Sequence, residues 1–135
     1  MDQERRTRYV TKIEYIIDSL QIAEKLTNNP DTVQTRALYY CLLTSIESTM
    51  DLIAMLLKDK GTVAKGDKSN IEFLSSENYV SSELAAHLHK CKGLRNVLVH
   101  QYNGIDRQIV LRSFNDIKNT LSSFIDILEN IIDES

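Results

Sequence analysis

Apolar residues recur at four- and three-residue steps along most of this chain, and that rhythm predicts four long amphipathic helices. The first carries Tyr9, Ile13, Ile16, Leu20 and Ala23 on one face and stops at Asn28-Asn29-Pro30, because proline disfavours helix in the residue before it. The second starts at Asp31 or Thr32, runs to about Lys58, and has Tyr39, Leu43, Ile46, Met50, Ile53 and Leu57 as its stripe. Residues 59–69 are polar and predict a loop, followed by a short helical piece from Asn70 to Ser76. Ser81 or Ser82 can cap the third long helix, which contains Gly93, a residue that kinks a helix or admits a close neighbour, and Asn103-Gly104 ends it. Asp106 caps the last, with Val110, Phe114, Ile117, Leu121, Phe124, Leu128 and Ile131 as its stripe.

Four stripes of one rhythm suit an all-α fold, an antiparallel four-helix up-down bundle with a short extra helix. No repeat or low-complexity tract interrupts the 135 residues, so residues 1–135 read as a single domain.

Composition agrees with helices: one Pro, four Gly and no Trp. An apolar fraction of 42% supplies one core. The net charge of -3, from 16 basic and 19 acidic residues, argues against a broadly basic nucleic-acid binder but leaves room for a local anion site. Cys41 and Cys91 are too few for a disulfide framework and read as free thiols in a reducing cytosol. The charged start Met1-Asp2-Gln3-Glu4-Arg5-Arg6 lacks an apolar segment after it, so no signal peptide is visible, and no apolar run approaches the length of a membrane span. A cytoplasmic protein that does not engage a membrane is expected.

One residue breaks the pattern of the third long helix. With Ser82 to Gln101 taken as helical, Leu84, Leu88, Cys91, Leu98 and Val99 fall within roughly 60° of Arg95. A guanidinium in an apolar stripe is costly unless a carboxylate or another anion meets it. Glu47 and Asp51, four apart on one face of the second helix, are the candidate partners, inside the bundle or across a dimer. His100 lies about 140° round the helix from Arg95, close to Asn96 and His89. A fixed cation, an amide and an imidazole at one helix end can grip a phosphate and move a proton beside it. An internal salt bridge and a histidine favoured by the helix C-terminal dipole would equally explain the pair. The apolar residues around Arg95 also suggest that part of this face is a two-fold interface, with Gly93 permitting close approach.

Other constellations carry less. The stretch from Gly61 to Ser69 imitates a phosphate-binding P-loop, but it has one residue too many before the lysine and no strand ahead of it, so it reads as a solvated linker. His87 and His89 point about 160° apart on a helix and cannot share a metal, and His89 lies roughly 16 Å from His100 along the axis. No metal or other cofactor is expected.

The segment from Gly93 to Asp106, with Arg95, four residues, His100, one residue, Tyr102 and then Ile105-Asp106, resembles the signature of HepT-like proteins of the HEPN superfamily. These are the toxins of MNT/HEPN toxin–antitoxin pairs. Ile46-Glu47 and Asp51-Leu52-Ile53 are similar to the family's second-helix run, and roughly residues 35–132 fit in order and spacing. The resemblance implies a HEPN-like homodimer, or a higher oligomer, with two Arg–His motifs facing each other across a cleft. It implies a metal-independent endoribonuclease acting on RNA, with Arg95 and His100 catalytic and Asn96 orienting a phosphate or the histidine. It implies as partner a nucleotidyltransferase antitoxin that transfers AMP to Tyr102. Alternatives are a non-catalytic HEPN module that binds a nucleotide or the nucleotidyltransferase, and a purely structural helical dimer.

Overall fold

A computed structural model describes residues 1–100 and 104–135 of the chain. Those residues form five helices: α1 (Gln3–Lys25), α2 (Thr32–Asp59), α3 (Asp67–Ser76), α4 (Ser82–Val99) and α5 (Arg107–Asp133). Caps set the starts. Asp2 accepts from the Arg5 amide and Ser81 from the Leu84 amide, while Asp31 and Gln34 form a reciprocal capping box. Each satisfies amides that the first helical turn leaves without partners.

Ion pairs and hydrogen bonds give the direction of each helix. Tyr9 donates to Asp59, Lys12 meets Asp51 and Tyr15 donates to Thr44, so α1 and α2 run antiparallel. Arg6 reaches Asp133, and Lys118 reaches Glu24, so α5 is antiparallel to α1. Arg107, at the start of α5, donates to the Pro30 carbonyl just before α2. Along the α4–α5 seam Leu84 shares a groove with Asn119 and Ser123, and Leu94 shares one with Ser113 and Ile117, so α4 is antiparallel to α5. The long helices therefore go up, down, up, down, with α3 as a short extra helix between α2 and α4. This is the expected bundle.

The expected stripes of α1, α2 and α5 face inward. Tyr9, Ile16, Leu38, Leu42, Ile46, Leu52, Phe124 and Leu128 are among the residues at or below 1% exposure in the core. Each such aliphatic side chain contributes roughly 1.5–3 kcal/mol by leaving water. The α2 stripe is broader than its period-based outline, because Leu38, Leu42, Leu52 and Leu56 are buried as well. By length and composition alone α2 is apolar enough to cross a membrane, which the expectation of no such segment missed; half of that stretch is buried against the other helices.

Further expectations need correction. The short helix begins at Asp67, not Asn70. Its polar first turn carries no apolar period, so the pattern could not separate it from the loop. The helix bearing Arg95 ends at Val99, with His100 as its C-cap, ahead of Asn103-Gly104. The His100 amide donates to the Val97 carbonyl at 3.2 Å, a tightened last turn, and β-branched Val97 and Val99 weaken the helix there. Leu88, Cys91 and Leu98 belong to the chain's own core. Burial within one chain leaves them no surface for a partner, and Val99, 43% exposed, is the part of that face that stays outside. Gly93 lies inside continuous helix, and a Cβ there would meet nothing of its own chain within 4 Å.

Candidate functional site

Arg95 sits one turn before the end of α4, where three helices meet. Its Nη2 donates to Asp67 Oδ2 at 3.1 Å, and its Nη1 lies 3.8 Å from Glu47 Oε1. The Arg95 and Asp67 side chains are each 27% exposed and Glu47 is 47% exposed. The guanidinium is thus held between carboxylates from α3 and α2, as a charge partly removed from water requires. Its Nε is buried and has no hydrogen-bond partner among the described residues, so its donors are not all engaged.

A local device presents Asp67. Asn70, almost fully buried, accepts from the Lys65 amide at 2.7 Å and donates to the Lys65 carbonyl at 3.3 Å. This clasp fixes the loop against the start of α3. Asp67 then falls in the first helical turn, where the helix dipole favours a carboxylate. Sequence reasoning had put Asp67 in a solvated linker and missed it. An acidic residue after Gly66, four residues before buried Ile71, was the signal that pointed to a helix start.

The other candidate residues lie as follows. Asp51 meets Lys12 at 3.4 Å rather than Arg95. It shares a groove of about 380 Å³ with Glu47, Lys12, Tyr15 and Thr44 between α1 and α2. Asn96 and His100 are both exposed on α4 and its C-cap. Tyr102 lies outside the described residues. Among the described residues no three His, Cys, Asp or Glu side chains come together as a metal cluster. His87 stands 4.0 Å from Glu83, one helical turn away.

The surroundings of both cysteines disfavour the thiolate. Burial pushes the Cys91 thiol up to about 11, against a hydrogen bond with Thr120 that lowers it, and burial also raises Cys41. A thiol that keeps its proton is inert.

The arrangement therefore offers one cation fixed by carboxylates and one imidazole five residues further on, both on the rim of the bundle. Such a pair can stabilise negative charge on a phosphate and exchange a proton next to it.

The chain matches the family described as "Ribonuclease HepT-like" over residues 7–131. It is 43% identical over 130 residues to an Archaeoglobus fulgidus protein named "Putative RNase", covering 96% of this chain and 97% of the relative. A second protein of that name and organism is 34% identical over 113 residues, 84% of this chain and 85% of its own length. In fold, the chain is similar to a tri-AMPylated Shewanella oneidensis HEPN toxin solved in complex with MNT antitoxin. That likeness has a TM-score of 0.84 at 18% identity, over 96% of this chain and 99% of the toxin. It is similar too to a toxin–antitoxin crystal structure with AMP-PNP, at a TM-score of 0.83 and 18% identity over 95% of this chain and 99% of the other. At that identity the two structures speak for the fold, while the family match and the relatives cover nearly the whole sequence: the chain belongs to the HepT-like ribonuclease family.

Proposed function

We propose that this chain is a metal-independent endoribonuclease and the toxin of a toxin–antitoxin pair. The observation that carries the reading is Arg95, pinned by Asp67 and Glu47 at the rim, five residues before an exposed His100. RNA brings its own nucleophile. The 2′-hydroxyl attacks the adjacent phosphorus, the bond to the 5′-oxygen breaks, and the products end in a 2′,3′-cyclic phosphate and a 5′-hydroxyl. The protein then needs only to take a proton from the 2′-oxygen, return one to the 5′-oxygen, and stabilise the charge between them. His100 exchanges the proton, Arg95 stabilises the phosphorane-like charge, and Asn96 orients the phosphate or the imidazole. Glu47 supports Arg95 through its ion pair.

One chain supplies one such histidine, whereas the reaction uses a base and an acid. A homodimer that places two motifs across a cleft supplies both. The exposed rim of α4, with Gly93, Asn96, Val97 at 49% exposure and Val99, leaves room for that approach.

Control by a nucleotidyltransferase antitoxin is proposed by analogy with the similar Shewanella oneidensis toxin, which is AMPylated and in complex with MNT antitoxin. Tyr102, seven residues after Arg95, is the proposed acceptor. Each AMP adds a phosphate charge that pairs with Arg95 and occupies the anion site. The test is incubation of the purified chain with single-stranded RNA in EDTA, where cleavage is expected. Intact RNA, with binding to a nucleotidyltransferase retained, would leave a non-catalytic binding module of the same fold.

A further inference from the structure

A net acidic protein that acts on RNA must hold the strand somewhere, and Arg95 is already engaged by two carboxylates. The chain has seven arginines. Arg5, Arg6, Arg8 and Arg95 each pair with a carboxylate. Among the described residues no such pair involves Arg36, Arg107 or Arg112. Two of these three line one cavity of about 330 Å³, together with Thr32, Thr35, Tyr39 and Ile105. Arg36 comes from the first turns of α2 and Arg107 from the start of α5.

The cavity is built to take an anion. Arg107 is fixed by donating Nη1 to the Pro30 carbonyl at 2.7 Å, and its remaining donors have no partner among the described residues. The Thr35 hydroxyl is buried without a hydrogen-bond partner among them. Tyr39 is almost fully buried and keeps its phenolic proton, so it adds a neutral hydroxyl. Asp31 and Asp106 cap the Gln34 and Gln108 amides, and the Asp106 charge acts on Tyr39 against the larger effect of Arg107. Arg36 precedes Glu47 by eleven residues, about 16 Å along α2, so the cavity is distinct from the Arg95 site. It lies toward the same end of the bundle as His100, because α4 runs antiparallel to α2.

We propose that the cavity between the starts of α2 and α5 binds a backbone phosphate of single-stranded RNA away from the scissile bond, through Arg36 and Arg107. The proposal rests on the ribonuclease reading and adds a second point of attachment to it. Two arginines on rigid helices fix the strand's register, whereas exposed lysines would attract it without positioning it.

The experiment measures binding of a fully 2′-O-methylated single-stranded oligonucleotide, which lacks the nucleophile, by fluorescence anisotropy over a range of salt. Arg36→Gln with Arg107→Gln is expected to weaken binding about tenfold, and to make the slope of log K against log salt shallower by about 0.7 for each phosphate that is no longer neutralised. Arg112→Gln removes the same charge outside the cavity and is expected to stay within about twofold of wild type. Arg107→Lys keeps charge near Pro30 and is expected to retain most of the binding, which separates charge loss from a loosened loop. Wild-type affinity in the double variant, or an equal loss in Arg112→Gln, would overturn the proposal. So would competition by AMP that depends on the two arginines while RNA binding does not, since the anion would then be a nucleotide's. Wild-type protein that cleaves RNA while the double variant binds normally would fail this inference alone. Wild-type protein that neither binds nor cleaves RNA would fail the ribonuclease reading and this inference with it.

Discussion

At the scale of single residues, the proposed activity depends on what holds one guanidinium. Asp67 is closer to Arg95 than Glu47 is and less exposed, at 27% against 47%. Asp67→Asn should therefore lower RNA cleavage more than Glu47→Gln, and Asp51→Asn, whose partner is Lys12, should change it little. Partial exposure screens these pairs, so each substitution is expected to move stability by about 1 kcal/mol or less. Initial-rate assays beside thermal melts check this, and equal rates for Asp67→Asn and wild type would contradict it. The Arg95–Glu47 pair was legible in the sequence, because an arginine in an apolar stripe demands an anion and Glu47 flanks the stripe of the neighbouring helix. Asp67 was not legible, because a helix start and a polar loop share the same residue types. Cys91 carries a second residue-scale prediction. Its thiol is raised from 9.0 to about 11 by burial, so the folded state holds the proton more tightly than the unfolded chain does. That stabilisation is complete below the unfolded value near 9 and is lost as pH rises toward about 11. Denaturant melts should show Cys91→Ser losing less stability than wild type across that alkaline window.

At the scale of elements, period alone located all four long helices and most of their buried faces, since burial of an amphipathic stripe is what produces the period. It failed at two boundaries. The first turn of α3 is polar for capping and dipole reasons, and the last turn of α4 ends early at a pair of exposed β-branched valines. Nor could it separate the part of the α4 face that packs into its own bundle, Leu88, Cys91 and Leu98, from a part open to a second copy, because the two look alike in sequence. The distinction is measurable. Leu98→Ala, at a fully buried position, should cost about 2–5 kcal/mol. Val99→Ala, 43% exposed, should fall within about 0.5 kcal/mol of wild type in the monomer. Equal costs in urea melts would restore Val99 to a buried setting.

At the scale of the whole molecule, the bundle places a carboxylate-bound arginine, an exposed histidine and an arginine-lined cavity at related positions on one half of an acidic protein. Dimerisation through the open rim of α4 would bring two such sets together. Sedimentation at tens of micromolar should show a dimer, and replacing Gly93 by a bulky residue should shift it toward monomer without unfolding, because a side chain there meets nothing within its own chain. Co-expression with a cognate nucleotidyltransferase should add the mass of one or more adenylyl groups to the peptide containing Tyr102, and Tyr102→Phe should stay toxic and escape neutralisation by that route. Full neutralisation of Tyr102→Phe without any adduct would mean that the antitoxin acts by binding alone. The most direct measurement is end-group analysis of RNA incubated with the purified chain in EDTA, in parallel with His100→Ala of unchanged helical circular dichroism. Fragments ending in 2′,3′-cyclic phosphate and 5′-hydroxyl are expected from the wild type, and intact RNA from the variant. Cleavage by His100→Ala at the wild-type rate would contradict the assignment of His100 and the ribonuclease mechanism built on it.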